Sequence, residues 1–167
     1  MSWSFWLLDL LFRKLFRQNA QVKWAVHHTA TIHHPKGLKI GIGTFPGDSP
    51  GVYINANNGI YIGDYTNLGP NVGIVSSNHG FSDNTEIEGS GPIHIGKFCW
   101  LGMGAVVLPG VQLGDFTIVG AGAVVTKSFE SGYCVIAGNP ARIIRTLSKE
   151  ECDEGARIRY AAQAGLA

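Results

Sequence analysis

The chain has 167 residues, enough for one domain with a real core, and its formal net charge of +1 gives no electrostatic case for a nucleic-acid partner. With 45% hydrophobic residues, its 23 glycines do not describe a disordered Gly-rich segment; they point to a folded chain with many tight corners. Cys99, Cys134 and Cys152 form no CxxC pair, so neither a disulfide framework nor a structural zinc site is expected, which suits a reducing, cytoplasmic setting.

Residues 1–20 are expected to form an amphipathic N-terminal helix. Trp3 to Phe16 is mostly apolar, and Asp9, Arg13 and Arg17 make a narrow polar stripe at i, i+4 and i+8. A signal peptide would carry its positive charge before the apolar run, whereas Arg13 and Lys14 follow it. The run is also too short to span a bilayer. The simplest reading packs the helix on its own body or on a neighbouring subunit. A second reading lays it on a membrane surface, at the inner face, near lipid-linked sugars.

From residue 21 to 147 the sequence repeats. Every sixth residue from Ile95 reads Ile95, Leu101, Val107, Leu113, Val119, Val125, and the following position reads Gly96, Gly102, Leu108, Gly114, Gly120, Thr126. A second run gives Ile62, Leu68, Ile74, and a third gives Val26, Ile32, Leu38. Neither a helix, with period 3.6, nor a single strand, with period 2, produces this spacing. A period of six implies a short strand and a corner, repeated; three such faces close a triangular coil of 18 residues, the parallel β-helix. The expected blocks are 26–43, 44–61, 62–79, 95–112 and 113–130, about five coils. In the irregular block 44–61 the large residues move to Ile54 and Ile60. From Ile74 to Ile95 the register slips, so residues 80–94 are expected to leave the coil as a protruding loop, a natural place for function. After residue 130 the period fails, and Ser148-Lys149-Glu150-Glu151 has capping-box spacing that opens a C-terminal helix over 148–167, through roughly Ala164.

Two stretches resemble the hexapeptide-repeat O-acetyltransferases, the galactoside, maltose and nodulation-sugar enzymes above all. They are Ile95–Arg145, IGKFCWLGMGAVVLPGVQLGDFTIVGAGAVVTKSFESGYCVIAGNPARIIR, and Ile62–His79, IGDYTNLGPNVGIVSSNH. The resemblance covers about residues 26–147. It implies an all-β, left-handed parallel β-helix, a homotrimer with each active site between two subunits, and transfer of acetyl from acetyl-CoA to a sugar or other small hydroxyl acceptor, such as a polysaccharide precursor.

The same resemblance places the catalytic histidine at His79. A histidine can take the hydroxyl proton at neutral pH and return it to the leaving thiolate, with direct attack and no acyl-enzyme. Asp83, four residues on, or a backbone carbonyl, is the candidate to orient the ring. Trp100 matches a tryptophan beside the catalytic histidine. Met103 stands where galactoside-type enzymes have a serine that helps the oxyanion; methionine cannot donate that bond, so backbone N–H groups around Gly102–Gly104 are expected to replace it. Ala121 matches a CoA-contacting position, with Gly120 and Gly122 keeping the wall low. Thr126-Lys127 matches a CoA-binding pair, and Arg142 and Arg145 match basic residues near its phosphates. Tyr53-Ile54-Asn55-Ala56-Asn57 resembles a Tyr-x-Asn-x-Asn run that touches sugar acceptors, with Tyr53 and Asn55 as the contacts. Each of these, taken alone, is also an ordinary surface residue.

Two other kinds of function remain open. A γ-type carbonic anhydrase shares the β-helix but needs three converging histidines, and only His79 and His94 lie in the relevant half. A non-catalytic assembly module is the other. No metal is expected at His27-His28 and His33-His34, because pairs six apart fall on different faces of one coil.

Overall fold

The computed structural model describes residues 2–88 and 91–160. Helix α1 (Trp3–Leu10) runs into a π-helical turn over Leu11–Leu15. β1 (Thr31–His33) and β2 (Leu38–Ile40) begin the coils. β3 (Tyr53–Asn55), β4 (Ile60–Ile62) and β5 (Asn67–Leu68) form the next turn. β6 (Gly73–Val75) leads into a hairpin of β7 (Asn78–His79) and β8 (Ile87–Glu88). Regular winding resumes with β9 (Ile93–Ile95), β10 (Trp100–Leu101), β11 (Val106–Val107), β12 (Gln112–Leu113), β13 (Thr117–Val119) and β14 (Val124–Val125). β15 (Cys134–Ala137) and β16 (Arg142–Thr146) close the stack, and α2 (Lys149–Tyr160) follows.

The coil strands sort into three sheets: β1-β3-β6-β11-β14, β2-β4-β9-β12, and β5-β10-β13-β15-β16. All pairings in them are parallel except β15 with β16. The molecule is therefore a three-sided parallel β-helix. Its axis is one continuous apolar column, in which Ile54, Ile60, Ile74, Ile93, Leu101, Val107, Val119, Val125 and Ile136 are fully buried.

The glycine after each inward aliphatic serves close approach. A Cβ on Gly63 would sit 2.7 Å from the Gly96 carbonyl carbon, one on Gly96 2.6 Å from Asp115 N, and one on Gly114 2.2 Å from Glu130 O. One column of left-handed corners is held by aromatics: Tyr65, Phe98, Phe116 and Tyr133 all have φ between 47° and 56°. Their rings stack coil on coil, with centroids at 5.6, 4.8 and 5.1 Å. Stacking of this kind offsets the cost of roughly 1–2 kcal/mol for a side chain at positive φ.

The eighteen-residue spacing holds only in the later coils, where Ile95 lies opposite Leu113 and Val106 opposite Val124. Earlier, Thr31 lies opposite Tyr53, twenty-two residues on, and Ile54 opposite Ile74, twenty on. The blocks 26–43, 44–61 and 62–79 are therefore not in one register. The extra residues sit at corners, such as the 3-10 turn Pro35–Gly37 and the turn at 56–59, where they lengthen the perimeter without moving the sheets. Ile54 and Ile60 do take the inward positions. The excursion from the coil also starts earlier than 80–94. Its hairpin already contains His79, and Ile93–Ile95 has rejoined the second sheet beside Ile60–Ile62.

The N-terminal helix ends sooner than residue 20 and turns Asp9 and Arg13 of its polar stripe inward, while Arg17, beyond the helical turns, is exposed. Asp9 is buried; its Oδ1 accepts the Val26 N–H at 3.0 Å and its Oδ2 takes Arg13 Nη2 at 2.5 Å. Arg13 Nη1 also donates to the Val22 and Trp24 carbonyls, each at 3.2 Å. Breaking a buried pair leaves an uncompensated charge. Asp9→Ala is expected to cost about 2–3 kcal/mol and to free the helix. Limited proteolysis between residues 17 and 23 should then accelerate by tenfold or more.

α2 begins as the spacing predicts: Ser148 Oγ accepts the Glu151 N–H at 3.2 Å. Its expected continuation to Ala164 lies outside the described residues. Cys99 is buried against the Gly114 carbonyl, to which its thiol donates at 3.3 Å. Burial pushes that thiol up to about 12. Alkylation at pH 8 should leave Cys99 unmodified in the native chain, as mass spectrometry would show.

Candidate active site

His79 stands exposed in the β7–β8 hairpin, its backbone opposite Ile87, and the Gly80 N–H donates to Glu86 O at 3.0 Å. The base of the hairpin is tied to the coil below. Ser76 N–H and Oγ–H both donate to the Asn55 carbonyl, at 3.0 and 2.9 Å. Asn58 donates its backbone N–H to Ser76 Oγ at 2.9 Å and its side-chain amide to Ser76 O at 3.0 Å. The Asn55 amide donates to Ser77 Oγ at 3.4 Å, and Asn55 Oδ1 lies 3.2 Å from His34 Nδ1. The acceptor candidate Asn55 and the catalytic candidate His79 are thus brought to one side of the molecule, two residues and one hydrogen bond apart. Tyr53 lies on the same strand with the His33 ring against it at 5.5 Å.

The sequence weighs His34 only within a metal pair and does not point to Asn58, Ser76 or Ser77. The twenty-two-residue offset that stacks His33 on Asn55 was the signal that would have found the histidines.

Asp83 does not reach toward the ring. Its Oδ1 accepts from the Thr85 N–H at 2.8 Å and from the Thr85 hydroxyl at 2.6 Å, which holds its carboxyl below the usual range. The carboxylate organises its own loop.

The donor-side candidates occupy the other corners and the exit. Met103 and Ala121 sit at successive turns of one corner column, joined by the Gly122 N–H donating to Met103 O at 2.9 Å. Gly104 and Gly122 in that column have φ of 69° and 67°, and a Cβ on either would meet nothing within 4 Å. The wall is low and open there. Of the backbone donors expected for an oxyanion, Gly102 N–H is taken by Val119 O at 2.8 Å and Gly104 N–H by Pro70 O at 2.9 Å. Both are structural bonds between coils, so the expectation narrows to the Met103 N–H.

Thr126 and Lys127 are exposed just past β14, and Arg142 and Arg145 lie exposed on β16. Among the described residues none of these three cations is paired with a carboxylate: Lys127 lies over the Phe129 ring at 5.6 Å, and Arg142 donates to the Ala141 carbonyl. Cations left without acidic neighbours suit a phosphate-bearing ligand.

Trp100 is on the third sheet, 45% exposed, between Asn67 and Ile118. It lines a cavity of about 350 Å³ beneath α2, with Phe98, Arg159 and Tyr160. Tyr160 stacks on Tyr65 at 4.2 Å, which fixes the helix over this face. Trp100 and His79 therefore sit on different sides of one chain. His94 faces outward on the second sheet, stacked on Tyr61 at 4.5 Å.

Three parallel sheets wound on hexads define a hexapeptide-repeat β-helix. The family model described as "Bacterial transferase hexapeptide (six repeats)" matches residues 92–127, so the chain carries that repeat. It is similar to Nodulation protein L of Rhizobium leguminosarum bv. viciae, 38% identical over 89 residues, which cover 48% of this chain and 44% of that protein. Among solved structures it is similar to a maltose O-acetyltransferase from Clostridium difficile 630, at 30% identity and TM-score 0.62, covering 72% of this chain and 64% of that one. A galactoside acetyltransferase in complex with coenzyme A matches at 28% identity and TM-score 0.59, covering 74% and 65%. The chain thus spans less than half of the curated relative and under two thirds of these two enzymes.

Proposed function

We propose that the protein is an acetyl-CoA-dependent O-acetyltransferase acting on a hydroxyl of a sugar or polysaccharide precursor. In this reading the β-helix winds left-handed and three copies assemble. The observation that carries it is the division of the candidate residues. His79, Asn55 and Tyr53 gather on one side, while Trp100 lies under α2 on another. Two copies side by side would set one chain's histidine against its neighbour's donor-binding wall.

The donor supplies an activated acetyl group; the chain's own residues do the rest. The acceptor O–H gives its proton to His79 as its oxygen bonds to the acetyl carbon. The carbon–sulfur bond breaks and His79 returns the proton to the departing thiolate. The Met103 N–H is the backbone donor for the oxyanion. Thr126, Lys127, Arg142 and Arg145 hold the nucleotide end of the donor, and Ala121 borders its arm. Tyr53 and Asn55 orient the acceptor. A γ-type carbonic anhydrase is not favoured: solved structures similar to this chain include a maltose O-acetyltransferase and a galactoside acetyltransferase.

The experiment is a panel of free sugars, lipid-linked sugars, serine and streptogramin-type antibiotics with acetyl-CoA, following thiol release. Turnover with a sugar supports the reading; turnover with none of the panel sinks it. Co-expressed His79→Ala and Trp100→Ala chains should recover activity that neither has alone. Failure to do so would place the whole site within one chain.

A further inference from the structure

We propose that α1 and the π-turn after it form a docking surface for an anionic phospholipid membrane. This goes beyond acyl transfer and stands independently of it.

The helix is mounted with its polar side down. Asp9 and Arg13 are committed to the backbone of residues 22–26, and Phe5 and Phe12 pack near His27 and His28, with ring centroids at 6.3 and 5.0 Å. The helix is therefore held in one orientation, and the face that a soluble protein would bury is turned out. Trp3 is 80% exposed, Leu15 67% and Phe16 62%, with Trp6, Leu7, Leu10 and Leu11 exposed between them. With Leu8, eight large apolar side chains are exposed within residues 3–16, a cluster of the kind that marks an interaction surface.

Charge decides what that surface meets. Residues 1–47 hold six basic side chains, Arg13, Lys14, Arg17, Lys23, Lys36 and Lys39, and one acid, Asp9, which is buried and paired with Arg13. The rest of the chain holds seven basic and eleven acidic residues. Lys14, Arg17 and Lys23 are exposed around the apolar patch. Lys23 and Lys36 line a common cavity with Trp24 and Leu38, so the cations of the first coil lie at the same end as the helix. Two such ends from two copies would repel. A surface of anionic headgroups over an acyl layer complements both the cations and the Trp and Leu side chains. The helix lies in the plane of that surface: no helix among the described residues is long and apolar enough to cross a membrane.

The test is co-sedimentation of the full chain with vesicles of phosphatidylcholine alone and of phosphatidylcholine with phosphatidylglycerol. Binding to the anionic vesicles should exceed binding to the neutral ones by about tenfold or more and fall in 0.5 M salt, following the surface potential. Leu7→Ser with Leu10→Ser, and separately Lys14→Glu with Arg17→Glu, should each weaken it by about tenfold or more, with thermal unfolding unchanged because all four side chains are exposed. Two results would overturn the proposal. One is a wild-type chain that stays in the supernatant at every lipid concentration. The other is a solution mass that falls in the Leu7→Ser, Leu10→Ser variant, which would show the face buried between copies.

Discussion

His79→Ala is expected to lower the turnover of acetyl-CoA with its acceptor by about 10²–10⁴-fold, the range for loss of a general base. The expected loss is in kcat, because in the proposed mechanism the ring takes the proton of the reacting hydroxyl and does not meet the nucleotide end of the donor. Lys127, Arg142 and Arg145 are untouched, so the KM for acetyl-CoA should change by less than about threefold. The variant should fold. His79 is an exposed side chain on a two-stranded hairpin outside the apolar column, and its backbone pairing with Ile87 needs no imidazole. Circular dichroism and the melting temperature should match wild type, and a turnover within twofold of wild type would remove His79 from the chemistry. Asp83→Ala provides the contrast. Since Asp83 serves Thr85, its loss should loosen the loop and cost far less than loss of the histidine.

Gly96→Ala carries the largest expected effect on stability. Its Cβ would lie 2.6 Å from both Asp115 N and Asp115 Oδ1, and 2.7 Å from the Gly114 carbonyl carbon. Two of those three atoms are backbone of the next coil, itself fixed by the Gly96 N–H bond to Leu113 O at 2.8 Å. The neighbour cannot swing away, so the coils must part. Overpacking of this kind costs about 3 kcal/mol or more, a fall of roughly 6–12 °C in melting temperature for a chain of this size. Gly104→Ala has open space around its Cβ and only the φ of 69° against it, so about 1 kcal/mol is expected. Equal losses at the two positions would refute the close-approach account of the repeat glycines.

The coil column was legible because Ile95 to Val125 repeats without interruption, and every member proved buried. The first two coils were misjudged because a fixed frame of six was carried through corners that hold extra residues. A corner insertion leaves sheet register intact and is invisible to a periodicity count. The aromatic corners were missed for a different reason. Tyr65, Phe98, Phe116 and Tyr133 sit at positive φ, where local propensity argues for glycine or asparagine, and only stacking between coils explains them. The polar stripe of the N-terminal helix was seen, but its direction was not. Whether Asp9 faces water or protein depends on the Val26 N–H, seventeen residues away. At the site, His79 and Asn55 were legible singly; their connection through Ser77 required the offset between coils.

The pairing of each strand with its equivalents one turn away sets the steps by which this chain can change length. Removing residues 95–112 would join Ile93-His94 to Leu113 and give every sheet an in-register successor, since Ile95 and Leu113 occupy equivalent places. Removing nine residues, 95–103, would put Gly104, Gly110, Phe116 and Gly122 where Ile95, Leu101, Val107 and Leu113 belong, and the apolar column would be lost for the remaining turns. Growth and shrinkage by whole turns preserve the interior, while smaller edits survive only at corners, where the turn at 56–59 and the His79 hairpin already lie. The spot that carries the candidate base is therefore also one of the few where this architecture tolerates novelty.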